Sequence, residues 1–444
     1  MKIIIAGAGK VGYNLAKVLS VHHDVTIIDK NEDALNRMSN DFDILPIQGD
    51  IENPETYLKL NEIQNDLFIA VTNSDEANII SLFVSEEYLH SKKKLIRLQN
   101  NFFKKTKILQ KLGEPTAIYP LEITTKKVNS LLNYPKANNV KSFSYTSAKL
   151  ISVKINLQED KSFFVKKLLE EFPNVIAVAK ESNKNFSILE ENDIVKNGDL
   201  VYFFGDEEEI KKICEFFDKT DIHKIKRGVV YGATPLGIEI SKALLEREIQ
   251  VKLIEKSDKL CSFASEVLKG DVTVINSHYS SHKFFSEEGL KNADVFISTT
   301  ENDEYNIVKC IEAQEIGIKK VISINNDLEY YNLMHRLGIV VVRGIKANAI
   351  FSILENIESN YIITKKEFCG GKGVLFMRKI YKDSPLIGKS IKAYPSSKNS
   401  ISILVRDGKV EYFYGKIEPK EGDVIVAFAI KEEDNKIKNW IYNL

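Results

Sequence analysis

The second half of this chain repeats the first, and no other feature constrains its fold as much. The apolar run Ile3-Ile4-Ile5-Ala6 leads into Gly7-Ala8-Gly9-Lys10-Val11-Gly12, and Gly228-Val229-Val230-Tyr231 leads into Gly232-Ala233-Thr234-Pro235-Leu236-Gly237. Asp24-Val25-Thr26-Ile27-Ile28-Asp29 is matched by Gln250-Val251-Lys252-Leu253-Ile254-Glu255, a short apolar run closed by an acid. Asp-Glu-x-Asn-Ile occurs at 75–79 and again at 303–307. Late in each half a turn precedes an apolar run, as Asn197-Gly198-Asp199 before Leu200 and Glu421-Gly422-Asp423 before Val424. Steps kept in one order at a spacing near half the chain mark a duplication. The 444 residues therefore divide into two equivalent halves, not one large core.

Within each half, apolar runs of strand length alternate with stretches of helical period. Ile3 to Ala6, a helix from Gly12 to about Leu19, Val25 to Ile28 and Leu67 to Val71 follow one another. That alternation predicts a parallel sheet covered by helices on both faces. The tails differ: Leu150 to Leu157 and Ile401 to Val405 read as strands, and Phe163 to Phe172 as a helix. The expected fold is α/β, with two Rossmann-like doubly wound parallel-sheet domains, each followed by a small α+β cap. Boundaries near Asn139, Asp221 and Thr364 give domains at 1–138, 139–220, 221–363 and 364–444, in the order N1-C1-N2-C2.

Lys plus Arg and Asp plus Glu both number 62, so no global field favours a nucleic acid, whose binding rests on phosphate neutralisation. The basic run Lys92-Lys93-Lys94 reads as a solvated turn. Apolar runs such as Val424 to Ile430 are strand-sized, well short of the roughly 18 residues of a membrane span. Met1-Lys2 runs straight into Ile3, which leaves no room for a secretory leader and makes a cytoplasmic location the expectation. Cys214, Cys261, Cys310 and Cys369 form no C-x-x-C pair. His278 and His282 have ligand-like spacing, but no Glu follows His278 directly, and no metal centre is expected.

G-x-G-x-x-G alone is a weak signal. At 7–12 it follows a strand, opens a helix and has an acid about 20 residues on at the end of a second strand, which together form a dinucleotide fingerprint. Gly7 permits the tight turn, Gly9 lets the backbone approach a pyrophosphate, and Gly12 lets the helix pack on the sheet. The helix start at Lys10-Val11 offers N–H groups and a positive partial charge to an anion. Asp29 would accept from ribose hydroxyls and repel a 2′-phosphate, favouring NAD(H) or ATP/ADP over NADP. Thr72 and Asn73 fall at the carboxyl edge of the sheet as ribose or phosphate contacts; Gly49-Asp50 reads either as the adenine side of the site or as a plain strand-ending turn, and Arg97 either as a phosphate contact or as a structural ion pair. The second copy keeps Gly232 and Glu255 but has Thr234 for the middle glycine, Pro235 without an N–H, and Ser277-His278 in place of Gly49-Asp50. Nucleotide binding in altered form and an empty structural fold both remain open for it.

On these residues the whole chain resembles the TrkA family, the peripheral subunits of bacterial Trk potassium uptake systems built from tandem RCK (regulator of K+ conductance) domains. The most specific parts are Gly7 to Gly12 with Asp29, the segment Val71 to Asn78, and the N1-C1-N2-C2 order. The resemblance implies nucleotide contacts at Gly7, Ala8, Gly9, Lys10, Val11, Asp29, Thr72, Asn73 and Arg97, and a second site at Gly232 to Leu236 with Glu255. It also implies a homo-oligomeric ring, a tetramer or a dimer, on the cytoplasmic face of a TrkH-like membrane subunit that translocates potassium. NAD(H) and ATP or ADP are the ligands it implies, and catalysis is not expected. One alternative is an NAD-dependent dehydrogenase or reductase, for which Tyr305 and Lys309 supply a Y-x-x-x-K spacing. Another is an RCK regulator of a different transporter.

Overall fold

The structure, a computed structural model, describes residues 1–60, 65–134, 137–143, 145–156, 162–183, 185–217, 225–277, 288–327, 329–330, 333–334, 337–357, 359 and 362–444. The strands of the first parallel sheet are β1 (Lys2–Ala6), β2 (Asp24–Asp29), β3 (Leu45–Gln48), β4 (Leu67–Ala70), β5 (Lys93–Arg97) and β6 (Thr116–Ile118). They lie in the order β3-β2-β1-β4-β5-β6, a doubly wound arrangement whose direction of winding reverses between β1 and β4. Ile4, Ala6, Ile28, Phe68, Ala70 and Ile96 face one core on this sheet, and Ile3, Ile5, Ile27 and Leu95 are equally buried. Burial on both faces is why these strands read as continuous apolar runs.

Helices α1 (Lys10–Leu19), α2 (Glu32–Asp41), α3 (Pro54–Leu58), α4 (Asp75–Tyr88), α5 (Ile108–Lys111) and α6 (Pro120–Asn133) connect or follow these strands. Asn31, Asn53 and Ser74 cap α2, α3 and α4 through their side chains. No side chain caps α1, whose N-cap is Gly9.

The first cap contains strands β7 (Ala137–Ser142), β8 (Lys149–Lys154), β9 (Ser162–Phe164), β10 (Val175–Ser182), β11 (Asn185–Ile188), β12 (Ile194–Lys196) and β13 (Leu200–Gly205), with helices α7 (Val165–Glu171) and α8 (Glu207–Phe217). Phe163, read from sequence as helical, belongs instead to a two-stranded ribbon in which β9 pairs with β12. The second parallel sheet, from β14 (Arg227–Tyr231), β15 (Gln250–Glu255), β16 (Thr273–Asn276), β17 (Val295–Ser298), β18 (Lys320–Asn325) and β19 (Val340–Arg343), repeats the order of the first as β16-β15-β14-β17-β18-β19. Its helices are α9 (Pro235–Leu245), α10 (Asp258–Leu268) and α11 (Asp303–Glu315), and α12 (Ile345–Asn356) follows β19. The second cap has β20 (Thr364–Phe368), β21 (Gly373–Lys379), β22 (Ile391–Lys392), β23 (Ser400–Arg406), β24 (Lys409–Tyr412), β25 (Lys416–Ile417), β26 (Val424–Ile430) and α13 (Asp434–Tyr442). The Asp221 boundary and Leu157 lie outside the described residues.

By contacts the chain forms two compact units, Met1–Lys126 with Arg343–Ile357, and Lys127–Val342 with Glu358–Leu444. Helix α12 thus follows the second parallel sheet in sequence but packs in the first unit, against α1 and β6. There Asn348 Nδ2 donates to Thr124 Oγ1 at 2.7 Å, with both residues almost fully buried. In the second unit the five-stranded sheets of the two caps share one core, built from Ile176, Phe204, Phe368, Leu375, Ile403 and Phe428 among others.

Lys92-Lys93-Lys94 is not a free turn. β5 starts at Lys93, and Lys92 pairs with Asp66 at 2.7 Å. The Lys94 side chain is buried against Glu86, and that burial lowers its pKa. Its long stem lets a cationic residue join a buried strand while its head finds a carboxylate.

Candidate functional site

At the carboxyl edge of the first sheet, beside the β1/β4 reversal, β1 turns into α1 through the glycine loop. Gly7 sits at φ +115°, with its N–H on Ile28 O. A Cβ on Gly12 would lie 1.9 Å from Gly7 O, so this glycine is dictated by the close passage of the helix over the turn. A Cβ on Gly9 would meet nothing within 4 Å. No neighbour demands a glycine at this N-cap position; a ligand approaching the backbone would. Ala8 and Val11 are buried, Lys10 is exposed, and the uncapped start of α1 opens onto a cleft of about 870 Å³ lined by Gly9, Lys10, Tyr13, Asp29, Asn31 and Arg37, among others.

Asp29 ends β2 and is half-buried beside the loop. Its Oδ2 accepts from Ala8 N at 2.6 Å and its Oδ1 from Asn31 N at 2.8 Å. The carboxylate therefore shapes the loop, lines the cleft and keeps accepting capacity beyond these two bonds.

Thr72 and Asn73 follow β4. Thr72 N and Oγ1 both donate to Asn78 Oδ1, at 2.9 and 2.8 Å, and Asn78 Nδ2 donates to Arg97 O at 2.9 Å. Asp75 accepts from Gln99 N and Asn100 N at 2.7 and 2.8 Å. Asn78 and Asp75 thus tie the loop after β4 to the loop after β5. The same bonds recur in the second copy, where Asn306 holds Thr300 and Ile324 O while Asp303 accepts from Asn326 N and Asp327 N. The shared Asp-Glu-x-Asn-Ile motif is accordingly a scaffold for the edge loops. The sequence shows the repeat but not this work, because the bonds join loops that follow different strands.

Arg97, at the end of β5, is 4% exposed, with Nη1 donating to Asn73 Oδ1 at 3.1 Å and, more loosely, to Thr72 O at 3.3 Å. Burial lowers its pKa and the charge of Asp75 opposes that shift. Its Nε has no hydrogen-bond partner among the described residues. A buried cation with an unused donor is costly unless an anion approaches it. Asp50 lies farther along the edge, at the end of β3, exposed and accepting from Glu52 N. Gly49 beside it is fixed by Thr56, whose Oγ1 a Cβ would approach to 2.6 Å.

In the second copy, Gly232 (φ +105°) and Gly237 repeat the roles of Gly7 and Gly12, a Cβ on Gly237 falling 1.9 Å from Gly232 O. Glu255 is 7% exposed and accepts from Ala233 N, Lys256 N and Ser257 N. His278 and His282 lie outside the described residues. Tyr305 and Lys309 are engaged in packing: the Tyr305 hydroxyl is 2.9 Å from that of Tyr231, and Lys309, 2% exposed, pairs with Glu312 at 2.7 Å.

Two Rossmann-type sheets, each with a glycine turn and an edge acid, define a tandem dinucleotide-fold protein. Residues 3–120 and 229–343 match the TrkA-N domain, and the chain belongs to the TrkA-N domain family, with two copies of that domain. It is 26% identical over 446 residues to a Trk system potassium uptake protein TrkA homolog of Archaeoglobus fulgidus, covering 99% of both chains. It is also 26% identical over 445 residues to the Trk system potassium uptake protein TrkA of Halomonas elongata, covering 97% of this chain and 96% of that one. Among solved structures, the RCK domain of GsuK matches all of this chain and 95% of its own, with a TM-score of 0.60 at 13% identity. The GsuK channel bound to NAD matches with a TM-score of 0.60 at 13% identity, over all of this chain and 79% of its own. At that identity the likeness speaks to the fold. No helix among the described residues is long and apolar enough to cross a membrane.

Proposed function

We propose that this chain is a nucleotide-sensing regulatory subunit of a potassium uptake system. In this reading it is non-catalytic, cytoplasmic and peripheral, and it acts on a TrkH-like membrane subunit as a homo-oligomer. The observation that carries the sensing role is the pairing of Gly9, whose missing Cβ serves no packing need, with the buried, incompletely bonded guanidinium of Arg97 at the same sheet edge. The potassium assignment leans on the full-length relatives, which are named as Trk potassium uptake proteins.

An adenine nucleotide, NAD(H) or ATP/ADP, would place its phosphates at the start of α1 near Gly7 to Gly12, within reach of Arg97. Its ribose would lie on Asp29, with Thr72, Asn73 and Asp50 along the edge. In this scheme 1–138 and 221–363 are the N-type domains, and 139–220 and 364–444 the caps. No step needs a general base. Tyr305 and Lys309, which a dehydrogenase reading would require, are committed to Tyr231 and Glu312.

Calorimetric titration with NADH, NAD, ATP and ADP tests the reading. At least one of them should bind, and Asp29→Ala should weaken it by about 10- to 150-fold, the equivalent of one charge-assisted bond. Absence of binding by all four would leave a structural adaptor in place of a sensor.

A further inference from the structure

We infer that the second Rossmann sheet takes no nucleotide and that its loop is closed by its own side chains, which leaves one sensing site per chain. This rests on the sensing role proposed for the first sheet.

The duplication supplies an internal control. Of the three loop glycines, two are required by the fold, Gly7 for its positive φ and Gly12 for the contact with Gly7 O. Both persist in the second copy, as Gly232 and Gly237, under the same steric demands. The third, Gly9, faces open space, and it is the one replaced, by Thr234. Retention of the glycines that packing needs, with a side chain admitted at the one that faces open space, is the pattern of a kept fold and an abandoned site.

The donors a phosphate would use are also spent. Thr234 Oγ1 accepts from Gly237 N at 3.1 Å and donates to Thr299 O at 3.0 Å, capping α9 from within. Pro235, next in the chain, has no N–H to offer. Two of the three first-turn donors are therefore removed, whereas α1 begins on Gly9 with no side-chain cap. Glu255 is 7% exposed and accepts from three backbone N–H groups, where the half-buried Asp29 accepts from two, so it has less accepting capacity left for a ribose.

The edge residues complete the picture. The bonds of Asn78 and Asn306 set the equivalence: Arg97 O and Ile324 O accept from the two Asn side chains, so Ile324 stands where Arg97 does. A buried cation has become a buried alkyl chain, 2% exposed. Between Thr300 and the capping Asn302 stands Glu301, in the place of Asn73, and its charge opposes a phosphate. What the second sheet does hold is the end of α6. Lys320 Nζ donates to Leu131 O at 3.0 Å, capping a carbonyl of that helix end, and Arg247 Nη1 donates to the Asn133 side chain at 2.6 Å, so two cations sit at the helix C-terminus.

Photolabelling of the intact chain with 8-azido-ATP, followed by peptide mapping, tests the inference. Label confined to peptides of residues 1–126, and lost in Gly9→Ala, upholds it. Label competed by ATP on peptides containing 232–237, 255–261 or 299–306 overturns it, whatever happens at the first site. Calorimetry under the same conditions should give one nucleotide per chain in the wild type; two per chain would also overturn it. If neither sheet is labelled and no nucleotide binds, the sensing reading fails while the second sheet remains ligand-free as inferred.

Discussion

At the residue scale, Arg97 is the most exacting feature of the first sheet edge. Its charge is buried, its Nη1 is met by neutral oxygens from Asn73 and Thr72, and its Nε is unpartnered among the described residues. A fold under no other demand would replace it, as the second copy has with Ile324. Arg97→Met should therefore leave thermal stability unchanged or slightly raised, because it removes a poorly satisfied buried charge in favour of an apolar stem of similar length. The same variant should weaken a phosphate-bearing nucleotide by about 10- to 150-fold, the value of a charge-assisted bond of about 1.5–3 kcal/mol. Affinity for adenosine, which has no phosphate, should not move. Paired melting curves and titrations decide this: a stability loss with unchanged nucleotide affinity would make Arg97 a structural strut.

At the scale of elements, much was legible because strand and helix periods are local. The runs 3–6, 25–28 and 67–71, the glycine turns and the edge acids all fall in the expected places. Two things were not legible. Phe163 sits in a helix-like pattern but pairs through β9 with β12, a partner 30 residues away that no local period reveals. Helix α12 has an apolar face, and the sequence does not say which sheet that face will cover; it packs against α1 in the unit of the first sheet. At the start of β18, burial of Lys320, assisted by the charge of Arg247, pushes its pKa down to about 8. Between about pH 8 and its ordinary 10.5 the unfolded chain keeps a proton that the folded chain gives up, so stability rises with pH across that window. Below pH 8 both states hold the proton and the cost of burying the charge is present in full. Lys320→Met should flatten this rise, read as the change in denaturation midpoint between pH 7.5 and 9.5. An unchanged slope in the variant would assign the rise to other groups.

At the scale of the whole molecule, a sensor needs a difference in ligand affinity between two conformations, since equal affinity shifts no equilibrium. The proposed site lies at the start of α1. Helix α12, packed on α1, continues in sequence toward β20 of the second cap, while α6 leads toward β7 of the first. Thr124 of α6 and Asn348 of α12 meet in a buried hydrogen bond of 2.7 Å, so both connections to the caps are fastened at one polar point beside the helix that carries the glycine loop. A buried polar pair between two helices fixes register at some cost in stability. Replacing both partners by apolar groups, as in Thr124→Val with Asn348→Leu, should keep the fold, because no orphaned polar side chain is left in that contact. Nucleotide affinity should stay within about threefold of wild type, a shift smaller than 1 kcal/mol. What should fall is the coupling. In vesicles containing the membrane partner, potassium flux through the double variant should respond less to nucleotide than through wild type, where coupling of about 1–3 kcal/mol corresponds to a 5- to 150-fold change in affinity between states. The single variant Asn348→Leu, which removes this bond while the Thr124 hydroxyl still donates to Pro120 O, should lose stability by about 0.5–1.5 kcal/mol. A double variant that binds and gates as wild type would show that the signal leaves the glycine loop by another route, and the contact between α6 and α12 would then be architecture alone.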